Sequence, residues 1–302
     1  MTSVDGVITP TEDARIPVLD RGFLYGDSIY EVFRTYRGVP LFYDEHWARF
    51  QNSASLIHLD LKLDRDEMAR RIRETVAATG AARSGTDVYV RYSITRGVGE
   101  IDLYPAPDLE PSCVIIVKPV PQWGGLLYER GARLMVPETR RNSGSALDPN
   151  IKGGNYLNNV LGLIEARRAG ADDCLMLDGA GLVTEASNSN VFFVIDGDLV
   201  TPSQTARNLQ GTTKAAVREA LRARGVETFE REITQGDAAR ATECFLTSAT
   251  REVMPVASVR LSDGREVRFP AGGGEWTRRA AAGYREYVDA YVAAHSAESL
   301  FA

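Results

Sequence analysis

The chain has 302 residues, 44% of them hydrophobic and 25% charged, the composition of an ordinary globular protein with apolar material for about two cores. No apolar run approaches the ~20 residues that cross a bilayer, and MTSVDGVITPTEDAR has no basic stretch ahead of an apolar one, so no signal peptide is expected. A net charge of −6 argues against non-specific attraction to nucleic acid or an anionic membrane.

In chain order, the spacing predicts a strand over 28–36 (SIYEVFRTY), a turn at Arg37-Gly38 and a return strand from Val39 to Tyr43. Asp44 reads as the N-cap of a helix through DEHWARFQNSASLIHL, where Trp47, Phe50, Ala54 and Ile57 recur at helical spacing. A second helix is expected over 64–78, ended by Gly80. Strands follow at 87–95 and 112–118, and PVPQWGG at 119–125 punctuates the chain as a domain boundary. After a polar loop at 140–154, residues 155–168 read as a helix with Tyr156, Leu157, Val160, Leu161 and Ile164 as its apolar set. Short strands come next (CLMLD, GLVTEAS, NVFFVIDG, DLVTP), with Asp196-Gly197 as a hairpin turn. A helix over 212–224, a strand near Val226, strands at 243–247 and 252–259, and a helix over 276–294 complete the reading. This order predicts an α+β fold rather than alternating βαβ units.

Several chemistries are set aside by the motifs. Cys113, Cys174 and Cys244 are far apart and odd in number, which fits buried thiols in a reducing compartment rather than disulfides or a metal site. His46, His58 and His295 stand in no metal-binding or triad spacing, so no metal is expected. No Gly-rich dinucleotide fingerprint or P-loop is present. Of 35 basic residues only Lys62, Lys118, Lys152 and Lys214 are lysines. Amine chemistry needs a group that can lose its proton, which arginine cannot do. Lys62 and Lys214 read as solvated, and Lys118 ends an apolar strand. Lys152 stands out because Gly153-Gly154 lets another body approach the backbone.

Other segments could serve a ligand. LQGTTKAAV opens a helix whose N–H groups suit an anion; an ordinary Thr cap would look the same. LTSATREV is a small-residue loop between strands, and Glu185 is an acid at a strand end. Period two puts Tyr89, Arg91 and Ser93 on one strand face, and Tyr30, Val32 and Arg34 on another.

In order, these segments resemble the fold-type IV (class IV) pyridoxal-phosphate aminotransferases, from about Asp20 to Val256. The strongest match is IKGGNYLNNVLGLIEARRAGADDCLMLDGAGLVTEASNSNVFFV, followed by LQGTTKAAV and FLTSATREVMPV. The resemblance implies a small N-terminal α/β domain (1–120), a linker (121–135) and a larger cofactor-binding domain (136–302) with a meander or barrel-like sheet and outer helices. It implies that Lys152 forms the internal aldimine with pyridoxal phosphate, that Glu185 hydrogen-bonds the ring nitrogen, and that Tyr156 hydrogen-bonds the phenolic oxygen. Arg49 in E-H-W-A-R would clamp the phosphate. Leu209, Gly211, Thr212 and Thr213 would line its helix-terminal side, and Ser248 and Ala249 its other side. A threonine commonly stands where Ala249 is, so a backbone N–H would replace that hydroxyl. Tyr25, Tyr30, Val32, Tyr89, Arg91 and Thr250 are the implied substrate residues.

Within the family, Y-x-R at Tyr89–Arg91 is similar to branched-chain aminotransferases, where the arginine helps accept the acidic co-substrate. TRGVGEIDL lacks the R-x-H carboxylate trap of D-amino-acid aminotransferases. Against this, Val32 in Y-E-V replaces the usual glycine and narrows the pocket, as in D-amino-acid enzymes. The resemblance therefore implies transfer from a branched-chain or other apolar amino acid to 2-oxoglutarate. Its alternatives are a D-amino-acid or (R)-amine aminotransferase, aminodeoxychorismate lyase, and a non-catalytic cofactor-binding module. The implied setting is a cytoplasmic homodimer or assembly of dimers acting on small molecules.

Overall fold

The computed structural model describes residues 1–203 and 208–301. The chain forms two compact units: Met1–Pro121 with Ile151–Asn155 and Ala290–Ala302, and Gln122–Asn150 with Tyr156–Asp289. The expected spans of 1–120, 121–135 and 136–302 divide the chain differently. Residues 151–155 go with the first unit because their backbone pairs with a strand there. The C-terminal residues also return to it, where Leu300 donates to Gly38 O at 2.8 Å. The expected linker holds a short helix and a strand of the second unit's sheet.

The first unit contains β1 Thr2–Val4, β2 Val7–Thr9, α1 Arg21–Tyr25, β3 Ser28–Tyr36, β4 Val39–Pro40, α2 Tyr43–Leu56, α3 Arg65–Thr79, α4 Ala81–Ser84, β5 Val88–Thr95 and β6 Ser112–Pro119. Its strands make one sheet, β2-β1-β6-β5-β3-β4. β3 and β5 run antiparallel from Ser28↔Thr95 to Arg34↔Tyr89. Their alternation buries Phe33, Val90, Tyr92 and Ile94 against Phe50, Met68, Ile72 and Val76 of α2 and α3. The return strand is shorter than expected. Phe42 takes a left-handed φ of 56° and starts α2 at Tyr43, so Asp44 lies in the first turn rather than at the cap, where its charge suits the helix dipole. α3 follows the sequence reading, with the Asp64 side chain accepting from Glu67 N and Gly80 ending the helix at φ 75°.

The second unit holds α5 Gly125–Arg130, β7 Ala132–Met135, α6 Leu157–Arg168, β8 Asp173–Leu177, β9 Val183–Ala186, β10 Asn190–Ile195, β11 Asp198–Pro202, α7 Thr212–Arg222, β12 Phe229–Arg231, α8 Gln235–Arg240, β13 Glu243–Ser248, β14 Glu252–Arg260 and β15 Glu266–Arg268. α9 (Glu275–Ala294) begins in this unit and ends in the first. The sheet order is β12-β11-β10-β13-β14-β7-β8-β9, with β15 on β14. It is more than a meander, because β11–β12, β14–β7 and β7–β8 pair in parallel. Its core gathers Leu175, Phe193, Val200, Leu246 and Val256. The strand expected near Val226 lies at Phe229–Arg231.

The packing of α6 reverses expectation. Leu157, Val160, Leu161 and Ile164 are exposed, and the buried residues are Asn159, Gly162 and Ala166. The small side is selected because a Cβ at Gly162 would strike Met176 Sδ of β8. The fold is thus the α+β arrangement expected, with one antiparallel and one mixed sheet.

Candidate active site

In the first unit, Lys152 lies on a short segment laid along β3. Tyr30 N donates to Lys152 O at 2.9 Å, Gly154 N donates to Ser28 O at 2.9 Å, and Ile29 bridges Gly153. The glycines permit this approach, since a Cβ at Gly154 would collide with Ser28 Oγ. Lys152 N also donates to Ser53 Oγ of α2 at 3.1 Å, and Ser53 Oγ donates to Arg49 O at 3.0 Å. The amine is thereby aimed at Tyr30, with Nζ 3.4 Å from the phenol oxygen and 4.4 Å from the ring centroid. Arg91 Cζ lies 3.5 Å from the same centroid, a distance suited to cation–π attraction. Arg91 is cross-strand from Val32. Tyr89 shares its face, and burial raises the Tyr89 phenol above its ordinary range against the nearby Arg91 charge. Lys152, Tyr30, Val32, Tyr89 and Arg91 are therefore gathered on one side of one sheet. Tyr25 ends α1, its ring 4.9 Å from the Arg21 guanidinium.

Arg49 is tied to a residue that the sequence reading passed over. Glu31 is on the core side of β3 and fully buried. Its oxygens accept from Arg49 Nε and Nη2, each at 2.7 Å, and His46 Nδ1 lies 2.7 Å from Oε2. Burial pushes the Glu31 carboxyl up, but Arg49 and His46 outweigh it and hold it well below the carboxylate range. Burial lowers the His46 pKa against the pull of the Glu31 carboxylate. The bidentate pair fixes the plane of the Arg49 guanidinium.

In the second unit, Glu185 is the third of the four residues of β9 and is 6% exposed. Arg141 Nη2 lies 2.8 Å from its Oε1, and Leu209 N donates to Oε2 at 3.3 Å. Asn190 Nδ2 donates to Leu209 O at 2.8 Å, and a Cβ at Gly211 would collide with Asn190 Oδ1. Gly211 is the N-cap of α7, so Thr212 and Thr213 occupy its first turn. Asn190 is also cross-strand from Thr247, which precedes Ser248, Ala249 and Thr250. Register thus brings Glu185, Leu209, Gly211 and the Ser248–Thr250 turn to one end of this sheet. Arg251 braces that turn, with Nη1 2.6 Å from the buried Asp173 Oδ2 and 3.1 Å from Ser189 Oγ. Tyr156 is the N-cap of α6.

One lysine assignment is corrected. Lys214 is 2% exposed, with Nζ 2.7 Å from Glu230 Oε1 and 3.3 Å from Pro202 O. Burial lowers its pKa against the pull of Glu230. Its signal was available, since Lys214, Val217 and Leu221 fall on one helical face. Glu31 had a similar signal, sharing strand parity with Ile29 and Phe33. Arg141 and Asn190 had none beyond their neighbourhood.

By donor chemistry the glycine-flanked amine of Lys152 in the first unit suits pyridoxal phosphate, and so, in the second unit, do the buried acid Glu185 and the start of α7 that only glycine can enter. Among the described residues, no His/Cys/Asp/Glu group could hold a metal ion, and no helix is long and apolar enough to cross a membrane. Residues 28–259 match the family described as Amino-transferase class IV, whose members use pyridoxal phosphate. A protein of Methanocaldococcus jannaschii assigned as a branched-chain-amino-acid aminotransferase is 35% identical over 264 residues, 87% of this chain and 88% of that protein. The T.th. branched-chain amino acid aminotransferase complexed with N-(5'-phosphopyridoxyl)-L-glutamate superposes with a TM-score of 0.83 at 28% identity, covering 96% and 94% of the chains. The 4-amino-4-deoxychorismate lyase of Pseudomonas aeruginosa gives 0.81 at 28% identity, covering 96% and 100%.

Proposed function

The chain belongs to the class IV aminotransferases, and we propose that it moves the amino group of a branched-chain or other apolar amino acid to 2-oxoglutarate, with Lys152 carrying the cofactor. The observation that carries this reading is the grouping of Lys152, Tyr30 and Arg91: an amine beside an apolar ring wall with one cation in reach. The cofactor supplies an electron sink for the charge left at the substrate Cα. Lys152 Nζ would hold the cofactor and serve as the base that moves a proton at the substrate Cα. Glu185 would hold a proton on the ring nitrogen, and Tyr156 would donate to the phenolic oxygen. Arg49, the N–H groups of Thr212 and Thr213, and the Ser248–Ala249 turn bind the phosphate, with Leu209 and Gly211 shaping that end. At Ala249 only the backbone N–H serves. Tyr25, Tyr30, Val32, Tyr89 and Thr250 shape the substrate site.

Arg91 takes the γ-carboxylate of glutamate or 2-oxoglutarate, so acidic and apolar substrates share one site. The glutamate adduct bound by the T.th. enzyme supports this pairing. The similarity to the lyase favours a second reading, release of pyruvate from aminodeoxychorismate. Val32 favours a D-amino-acid or (R)-amine donor. We place the enzyme in the cytoplasm as a homodimer or assembly of dimers. The free, buried Cys113, Cys174 and Cys244 support a reducing compartment. The exposed Leu157, Val160, Leu161 and Ile164 of α6 support burial against a second copy.

The test is a panel of L- and D-amino acids and chiral amines with 2-oxoglutarate or pyruvate as acceptor. L-Leucine, L-valine or L-isoleucine with 2-oxoglutarate should yield the 2-oxo acid and glutamate. Turnover confined to D-amino acids or (R)-amines would overturn the branched-chain reading, and pyruvate release from aminodeoxychorismate would identify the lyase.

A further inference from the structure

We propose that Arg141 is a positioning residue that sets the orientation and charge of Glu185, and through it the protonation of the cofactor's ring nitrogen. The inference rests on the reading of Glu185 given above. Arg141 is anchored at both ends. Its backbone N donates to Leu177 O at 2.8 Å, and its Nη1 donates to Asn159 Oδ1 at 2.7 Å. Asn159 is buried on α6 and fixed in turn, its Nδ2 donating to Ser187 O at 2.8 Å. The guanidinium therefore cannot simply follow Glu185, and it holds Oε1 at 2.8 Å while Leu209 N holds Oε2.

Both side chains are largely withdrawn from water, at 15% and 9% exposure, so screening weakens their attraction far less than at a surface. A carboxylate shared with a fixed cation keeps its charged form and one orientation. It also presents less unshared negative charge to any other cation. The strength with which Glu185 holds a ring proton is thus set by Arg141 as well as by Glu185.

The sign follows from charge. Removing Arg141 makes the surroundings of Glu185 more negative, which favours protonation of the lysine-bound cofactor. The midpoint of the cofactor's pH-dependent absorbance change should move up. Glu185→Gln removes the carboxylate and, with it, the ring-nitrogen proton that it holds, and should move the midpoint in its own right.

The experiment uses the holoenzyme and its Arg141→Met, Arg141→Lys, Glu185→Gln and Arg141→Met/Glu185→Gln variants. Spectra are titrated against pH, and pyridoxal phosphate affinity, kcat and melting temperature are measured alongside. Arg141→Met should raise the midpoint by about half a pH unit or more and lower kcat roughly tenfold or more, with cofactor affinity within about threefold. Arg141→Lys restores the charge without the fork and should return most of the midpoint. The double variant should titrate like Glu185→Gln alone. If Arg141→Met does not fold, Arg141→Gln should show the same upward shift. An unchanged midpoint, whatever happens to kcat or melting temperature, would make Arg141 a structural brace and overturn the inference. A midpoint that Glu185→Gln leaves unmoved would overturn the reading of Glu185 itself, and this inference with it.

Discussion

Glu31 is fully buried in β3, and both of its carboxylate oxygens are held by Arg49 at 2.7 Å. Removing one member of a buried pair leaves the other charge uncompensated, at about 3–5 kcal/mol. Glu31→Gln should lower the urea midpoint accordingly. It should also weaken binding of pyridoxal phosphate more than of pyridoxal, because Arg49 loses its fixed plane. Equal weakening of both ligands would remove Arg49 from phosphate binding.

The same cluster sets an acid limb. His46 has a depressed pKa in the folded chain, so the unfolded chain binds more protons below its ordinary value near 6.5. Stability contributed by neutral His46 is full above that value and is lost as pH falls through and below it. Glu31 is depressed as well, and its contribution is lost below the ordinary glutamate value near 4.3. Unfolding free energy measured against pH should show both limbs. His46→Gln should flatten the upper one, and a curve unchanged by that substitution would contradict the assignment.

Gly211 is held to glycine by Asn190 Oδ1, which leaves no space for a Cβ. Gly211→Ala should destabilise the protein by about 1–3 kcal/mol through overpacking. The displaced start of α7 should bind pyridoxal phosphate less tightly in equilibrium dialysis. Wild-type affinity would place the phosphate elsewhere.

Arg91 stands over the Tyr30 ring at 3.5 Å. A carboxylate–arginine pair in a partly dry site contributes about 1.5–3 kcal/mol, so Arg91→Ala should lower kcat/KM for 2-oxoglutarate roughly tenfold to a hundredfold. Half-reactions with leucine or valine should change little. Equal losses for both would mark a structural arginine.

Much of this was legible where periodicity and glycine chemistry are local. The strand over 28–36, the faces of 88–95 and the glycine-flanked Lys152 follow from the residues themselves. What was not legible depends on partners far along the chain. Glu31 shares the strand parity of Ile29 and Phe33, but its partners Arg49 and His46 come from α2 and could not be read from that parity. Arg141 is one arginine among many until β9 and α6 supply Glu185 and Asn159. The apolar stripe of α6 was legible as a stripe, but the tight approach of Gly162 to Met176 decides which side is buried. The left-handed Phe42 cut short the return strand, and no residue-level preference announces a phenylalanine in that conformation.

The measurement that bears most directly on the account is borohydride reduction of the yellow holoenzyme followed by peptide mapping. Label is expected on Lys152 alone, with loss of colour and of nearly all turnover in Lys152→Ala. Label on Lys62, Lys118 or the buried Lys214, or a Lys152→Ala variant that still turns over, would contradict it.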